Sequence, residues 1–251
     1  MIDIHSHILH GLDDGAKTLE DSVALVRMAA AAGTTDIVAS PHANQKYAFD
    51  PRLVERRIGE VQAACGRTPR IYHGCDFHLT SENIEDAVRA RQRYTINHKT
   101  YLLVEFSDLM IPKTTDEIFA RLIHAKMRPI VTHPERNQLL QSRLDDLEAW
   151  VAQGVLMQIT AQSFLGRFGR TANRVADELM GRGLVHFVAS DAHDVKWRTP
   201  DMTEPCRYVK KKFGDEAAAR VFEENPRSAI AGVPISAEPL PIKRKSWFHF
   251  W

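Results

Sequence analysis

The chain alternates short apolar runs with longer amphipathic ones. Runs of strand length are MIDIH at the start, TDIVAS to Ser40, RIYHGCDF to Phe77, YLLVEF to Phe106, RPIVTH to His133, VLMQIT to Thr160 and LVHFVAS to Ser190. They are nearly continuous in apolar residues, the pattern of parallel strands covered on both faces. Between them, TLEDSVALVRMAAAAG places Val23, Val26 and Ala30 on one side and stops at Gly33, a residue suited to ending a helix. TTDEIFARLIHAKM opens with a capping box, Thr114 with Glu117, and carries Ile118, Leu122 and Ile123 on one face. SRLDDLEAWVAQG repeats the plan with Leu144, Leu147 and Val151 before Gly154, and a further helix around Val175 and Leu179 closes at Gly183. Seven strands alternating with helices, with no linker between halves, predict a single α/β domain, most simply a β/α barrel over residues 1–234. Residues 235–251 read as a proline-punctuated linker and tail.

Composition narrows the field. A chain of 251 residues can bury a sizeable core. Its net charge of +1 argues against nucleic acid as the main partner, because a phosphate-binding face leaves a basic excess. Cys65, Cys75 and Cys206 are an odd number, widely spaced, with no C-x-x-C pair, which predicts a reducing compartment and no disulfide framework. No apolar run approaches the roughly 18 residues of a membrane span, and the start lacks the basic and apolar regions of a signal peptide. The expected location is the cytoplasm. Twelve histidines are many, and their placement matters more than their number.

In β/α barrels the chemistry gathers where the strands end. Here the first run ends in His5 and His7, and the second leads to His42 in SPHAN. Asp76 ends the third, Glu105 the fourth and His133 the fifth, while Asp191 and His193 end the seventh. Only the sixth, QITAQSF, offers no strong ligand. Residues two apart in a strand project to one side, which pairs His5 with His7 and Asp191 with His193. Asp3 shares that parity one step deeper, placed to orient a ligand imidazole. Cys75 falls on the opposite face from Asp76 and reads as a small core residue. Each group alone has an ordinary explanation as a cap or a surface ion pair. Converging on one mouth, they would repel or lose solvation without a cation. Imidazoles and carboxylates without thiolate suit manganese, iron or zinc. So many donors call for two or three ions with a bridging carboxylate.

The stretches DIHSHILHGLDDG, SPH, GCD, EF, THPER and SDAH, in this order, resemble the PHP (polymerase and histidinol phosphatase) superfamily of metal-dependent phosphoesterases. Within it the chain is similar to the bacterial capsule-operon protein-tyrosine phosphatases of the CpsB/CapC type, from Met1 to about Pro234. MIDIHSH…DDG, RYTINHKTYLLVEFS and FGDEAAARVFEENPR carry that branch. The resemblance implies a distorted seven-stranded barrel and three divalent ions, manganese the first expectation and iron or zinc the alternatives. It places His5, His7 and Asp191 on the first ion, with Asp76 bridging to a second completed by Glu105 and His133. Asp14, His42 and His193 hold the third. The bridging residue is usually glutamate in this branch, and Asp76 is one methylene shorter. Other members use a histidine where this branch has the loop aspartate, so His10 competes with Asp14.

The expected reaction is attack of metal-activated hydroxide on the phosphorus of phosphotyrosine in proteins. Arg136 in THPERN and Arg198 in DVKWRTP supply planar, fixed charges for phosphate and the transition state. His78 shares the parity of Asp76 and lines the substrate mouth. Phenolate (phenol pKa about 10) leaves readily enough that no general acid is assigned. A cysteine mechanism needs C-x5-R, and the sixth residues after the cysteines are Ile71, Ser81 and Lys212. That mechanism is excluded. The alternatives are a phosphatase for a small ester such as histidinol phosphate, one for nucleotide ends, or a metal-retaining barrel that binds a partner without turnover. The resemblance also implies a substrate, the tyrosine-rich tail of a membrane-bound polysaccharide-export kinase. Lys243, Arg244 and Lys245 followed by Trp247, Phe248, Phe250 and Trp251 predict peripheral contact of residues 243–251 with an anionic membrane at the inner face.

Overall fold

The computed structural model describes residues 1–239. Nine strands form among them: β1 Ile2–Ser6, β2 Asp36–Ala39, β3 His42–Ala43, β4 Arg70–His73, β5 Asp76–His78, β6 Tyr101–Glu105, β7 Arg128–Thr132, β8 Leu156–Thr160 and β9 Phe187–Ala189. All pairings are parallel, in a three-stranded sheet of order β1-β2-β4 and a six-stranded sheet of order β3-β5-β6-β7-β8-β9. The single seven-stranded barrel expected from the apolar runs is thus drawn as two sheets. The strand of the second run stops at its end and the third run breaks in its middle. Pro41 has no N–H to continue a ladder, and at Gly74 a Cβ would lie 2.4 Å from Val38 Cγ1, so the backbone crowds β2 there. Beyond both points the chain pairs again in the second sheet, with His42 in register with Asp76. The sheets touch at their ends through a Ser6–Ala192 bridge, with Asp191 N donating to His5 O and His7 N to Ala192 O, both at 2.8 Å.

The apolar continuity of the strands has a direct cause. Leu102 and Val104 of β6 join the core beneath the helices with Phe119, Val131, Trp150 and Leu179. Tyr101 and Leu103 join the opposite core with Ile4, Ile130, Leu156 and Phe187. Both faces are dry, and each fully buried side chain of this size contributes about 1.5–3 kcal/mol.

Nine helices accompany the described strands: α1 Leu19–Ala31, α2 Pro51–Cys65, α3 Ser81–Arg89, α4 Thr115–His124, α5 Leu144–Ala152, α6 Gly169–Gly181, α7 Thr203–Phe213, α8 Asp215–Ala219 and α9 Asn225–Ala231. Their faces differ in phase from the sequence reading. Helix α1 buries Ser22, Leu25, Val26 and Ala29, leaving Val23 and Ala30 outside that face. Its capping box, Thr18 with Asp21, is the real one. Thr114 stands at the N-cap of α4 but makes no side-chain cap, and the Thr115 hydroxyl donates to Pro112 O at 2.6 Å. Helix α4 buries Thr115, Phe119 and Leu122, and α5 buries Leu147, Trp150 and Val151. The three cysteines are free, Cys75 within the core. Among the described residues no helix is long and apolar enough to cross a membrane. The basic and aromatic tail of residues 243–251 lies outside the described residues.

Candidate metal centre

The strand ends deliver their polar side chains to one place. His5 and His7 leave β1 side by side, their Nε2 atoms 3.3 Å apart. Asp191 Oδ1 lies 3.5 Å from His5 Nε2, 3.4 Å from His7 Nε2 and 3.7 Å from His193 Nδ1. Asp14 Oδ1 sits between His42 Nε2 at 3.3 Å and His193 Nε2 at 3.4 Å. Asp76 Oδ2 stands 3.6 Å from His5 Nε2 and 3.0 Å from His42 Nδ1, so even the shorter side chain reaches two neighbouring groups. Glu105 Oε1 is 3.5 Å from His133 Nε2, and its other oxygen meets His42 at 3.3 Å and contacts His78. His10 stays apart, bonded to Ser22 Oγ at 3.2 Å and 3.3 Å from Glu60. His78, expected only at the mouth, joins the cluster through Glu105 and also meets Asn44 Nδ2 at 3.3 Å.

His133 and Asp191 take the left-handed backbone, with φ of 35° and 51°, a conformation costly without glycine. Bonds from His133 N to Gln158 O and from Asp191 N to His5 O, both 2.8 Å, hold these turns. They aim the two side chains back over the strand ends.

Three partners behind the cluster escape the motif pattern, Asp13, Gln158 and Glu135, and a fourth, Asp3, takes a role other than the expected one. Asp13 Oδ2 accepts from His7 Nδ1 at 2.6 Å, which leaves the Nε2 lone pair toward the cluster. Gln158, in the run that offered no ligand, does the same for His5 Nδ1 at 2.9 Å. Asp3 does not orient an imidazole. It accepts from Ser190 N at 3.0 Å and Ser190 Oγ at 2.5 Å, fastening β1 to the end of β9. Glu135 accepts from Thr160 N at 3.0 Å and Ser163 Oγ at 2.6 Å, and burial pushes its carboxyl up to about 7. A charged residue inside THPER and a lone glutamine inside VLMQIT were the available signals for Glu135 and Gln158.

Both expected arginines arrive. Arg136 and Arg198 each bond Asp191 Oδ2. Arg136 also donates to Thr160 Oγ1 at 3.3 Å and lies over the Phe168 ring, 4.2 Å from its centroid. Arg198 Nε is buried without a hydrogen-bond partner. Burial works against ionising Asp191, yet the two guanidinium groups hold its carboxyl well below the usual range. Burial, reinforced by Arg136, pushes His133 down to about 3. Burial, reinforced by His7, pushes His193 down to about 4. Both imidazoles are therefore neutral at pH 7, with a lone pair to give.

The donor set fits metal ions. Asp76 Oδ1 and Oδ2, His42 Nδ1, Glu105 Oε2 and His193 Nε2 are buried with no hydrogen-bond partner. Burial disfavours charge on His5 and His42, yet Asp76 and Asp191 raise His5 to about 9, and Asp14, Asp76 and Glu105 raise His42 further. So many buried carboxylates demand positive charge among them, which a metal ion would supply in place of those protons. The ligand atoms form four overlapping groups, each within 4.8 Å: His7, Asp14, His42 and His193; His42, Asp76, His78 and Glu105; His5, His7 and Asp76; His5, His133 and Asp191. Two clefts open beside them, one lined by Asp14, Lys17 and His193, the other by Glu105, His133 and Arg136.

A parallel α/β fold gathers histidines and carboxylates at its strand ends into four candidate metal-binding groups, with two arginines on one of their carboxylates. The fold is shared with distant enzymes. An organophosphorus hydrolase mutant from Deinococcus radiodurans superposes with a TM-score of 0.61 at 12% identity, over 91% of this chain and 92% of that one. Residues 1–231 match the family described as Capsular polysaccharide synthesis, CpsB/CapC, and the chain belongs to it. The putative tyrosine-protein phosphatase CapC of Staphylococcus aureus is 33% identical over 261 residues, 99% of either chain. The tyrosine-protein phosphatase YwqE of Bacillus subtilis (strain 168) is 32% identical over 256 residues, the full length of both. A crystal structure from work on YwqE of B. subtilis and CpsB of Streptococcus pneumoniae, described as unique metal-dependent tyrosine phosphatases, superposes with a TM-score of 0.89. It is 32% identical over 97% of this chain and all of that one.

Proposed function

We propose that this chain is a metal-dependent protein-tyrosine phosphatase of capsule or exopolysaccharide biosynthesis. The observation that carries this reading is Asp191, which meets His5 and His7 with one oxygen and both arginines with the other. One carboxylate thereby ties the metal donors to the phosphate donors. The names of the relatives supply the substrate class. We read the two sheets, bridged at Ser6 and Ala192, as one distorted seven-stranded barrel with this site at its mouth.

Three divalent ions, manganese before iron or zinc, would be held by His5, His7 and Asp191, by Glu105 and His133, and by Asp14, His42 and His193, with Asp76 bridging the first two sets. Bound there, they would offset the charge of the phosphoryl oxygens and acidify water near neutral pH. Asp13 and Gln158 keep His7 and His5 in the tautomer that faces the cluster. Arg136 and Arg198 are preorganised on Asp191 and present their remaining donors to phosphate, Arg198 Nε being buried and unpartnered. Such fixed charge costs no reorganisation when the oxygens gain charge. Phe168 backs Arg136, and His78 borders the mouth against Glu105. The departing phenolate, with a phenol pKa of about 10, needs no dedicated acid.

The natural substrate is then a phosphotyrosine protein of the cytoplasm, the tail of a membrane-bound kinase, met at the inner face with help from residues 243–251. Phosphate release from a tyrosine-phosphorylated kinase-tail peptide is compared with release from histidinol phosphate. Selectivity for the peptide is expected, and selectivity for the small ester would overturn the substrate.

A further inference from the structure

A second set of donors, sharing no residue with the mouth, meets where α2, the end of β4 and the turn before β6 come together. Glu55 Oε1 lies 3.2 Å from His73 Nδ1 and 2.9 Å from His98 Nε2. The two rings stack with centroids 4.2 Å apart. Each ring's outer nitrogen is already committed: His73 Nε2 donates to Arg93 O and His98 Nδ1 to Gln92 O, both at 2.9 Å. A neutral imidazole carries one proton, and those carbonyls fix it on the outer nitrogen. Two lone pairs therefore face one carboxylate oxygen. An outer nitrogen donating to a backbone carbonyl is also how metal-bound histidines are oriented.

A proton does not resolve this arrangement. Protonating His98 would satisfy Glu55, yet His73 Nδ1 is buried with no hydrogen-bond partner, in a residue only 3% exposed. Burial disfavours a proton on His73, and the neighbouring His98 disfavours it further. A divalent ion satisfies all three donors at once. The three atoms lie within 4.8 Å of one another, and the Glu55 side chain, 49% exposed, leaves a side open to water.

We propose that Glu55, His73 and His98 form a separate divalent-cation site. Two imidazoles and one carboxylate suit a zinc-type ion with water in the fourth position. It would tie α2 to the 96–98 turn, where Asn97 and His98 hold left-handed backbone at φ of 49° and 57°.

The test uses the full chain saturated with manganese and then exposed to zinc, with bound zinc counted by elemental analysis after gel filtration. His98→Asn is the first variant, because asparagine tolerates the left-handed backbone. Glu55→Gln, on the exposed side of α2, is the second. Zinc entering the mouth is common to all three proteins, so the difference among them is the readout. The wild type should retain one equivalent more than either variant, zinc should raise its melting temperature and not theirs, and phosphatase activity should be unchanged. Equal zinc counts, with equal zinc-induced melting shifts, would overturn the proposal.

Discussion

Replacing Asp13 by asparagine should weaken metal binding while leaving the fold in place. Asp13 Oδ2 accepts from His7 Nδ1 at 2.6 Å and from His42 N at 3.1 Å, and Oδ1 accepts from Gly15 N at 2.9 Å. Asparagine keeps one oxygen, so in either orientation of its amide at least one buried donor faces another donor. Losing a charge-assisted bond of this kind costs about 1.5–3 kcal/mol. At about 1.4 kcal/mol per decade that is about 10–100-fold in affinity, the range found for partners behind metal-bound histidines. The assay adds manganese back to chelator-treated protein and reads phosphate release from a phosphotyrosine peptide, with urea unfolding of the same samples. Half-saturating manganese should rise about 10–100-fold, with most of the saturated rate recovered. Wild-type manganese dependence together with a wild-type unfolding midpoint would refute the role given to Asp13.

At Gly15 a Cβ would meet His7 O at 2.1 Å and His7 Cβ at 2.6 Å, so Gly15→Ala should cost about 1–3 kcal/mol and reduce activity by displacing His7. Gly59→Ala, with nothing within 4 Å, should instead stabilise α2 by about 0.5–1 kcal/mol; paired melting curves that fail to split this way would sink the packing argument. Arg198→Lys keeps the charge but loses the fork, and kcat/KM for the peptide should fall about 100-fold with metal content unchanged; a near-wild-type rate would remove Arg198 from phosphate binding. Far from the mouth, His186 Nδ1 accepts from Met157 N at 3.1 Å while Nε2 faces Ala237 O at 3.3 Å, and burial holds its pKa at about 4 against the ordinary 6.5. The folded state therefore binds fewer protons than the unfolded one in that window. Its contribution, on the order of 3 kcal/mol, is complete above pH 6.5 and lost as pH falls toward 4. Chelated His186→Asn protein should melt with a flatter pH dependence there, and parallel curves would contradict this.

The strands were legible because both of their faces are dry, which wrote seven unbroken apolar runs into the chain. The same continuity hid one break: Gly74 interrupts pairing inside an apolar run, while beyond Pro41, where another run had ended, the chain pairs again in the second sheet. Ligand candidates stood out because a charged group at the end of an apolar run is conspicuous. Their supports did not. Asp13 reaches His7 only because the following loop folds back, with Ala16 N on His7 O at 3.2 Å, and no periodicity encodes that. Gln158 depends on which strand lies opposite, and Asp3, legible as a support, has Ser190 of the facing strand end as its partner rather than an imidazole. Helix faces slipped where several apolar residues compete for one stripe: α4 buries Phe119 rather than Ile118 and Ile123, and α5 buries Trp150 rather than Leu144. The contact of Arg136 and Arg198 with one aspartate, and the meeting of Glu55, His73 and His98 from three separate stretches, are long-range facts that only the assembled fold reveals.

The most direct test of the central claim follows phosphate release from a phosphotyrosine peptide by protein stripped with chelator, then restored with manganese, beside His133→Ala treated alike. The account predicts no release after stripping, recovery on adding manganese, and little recovery in the variant. Full activity in the stripped protein, or an unimpaired His133→Ala enzyme, would contradict it.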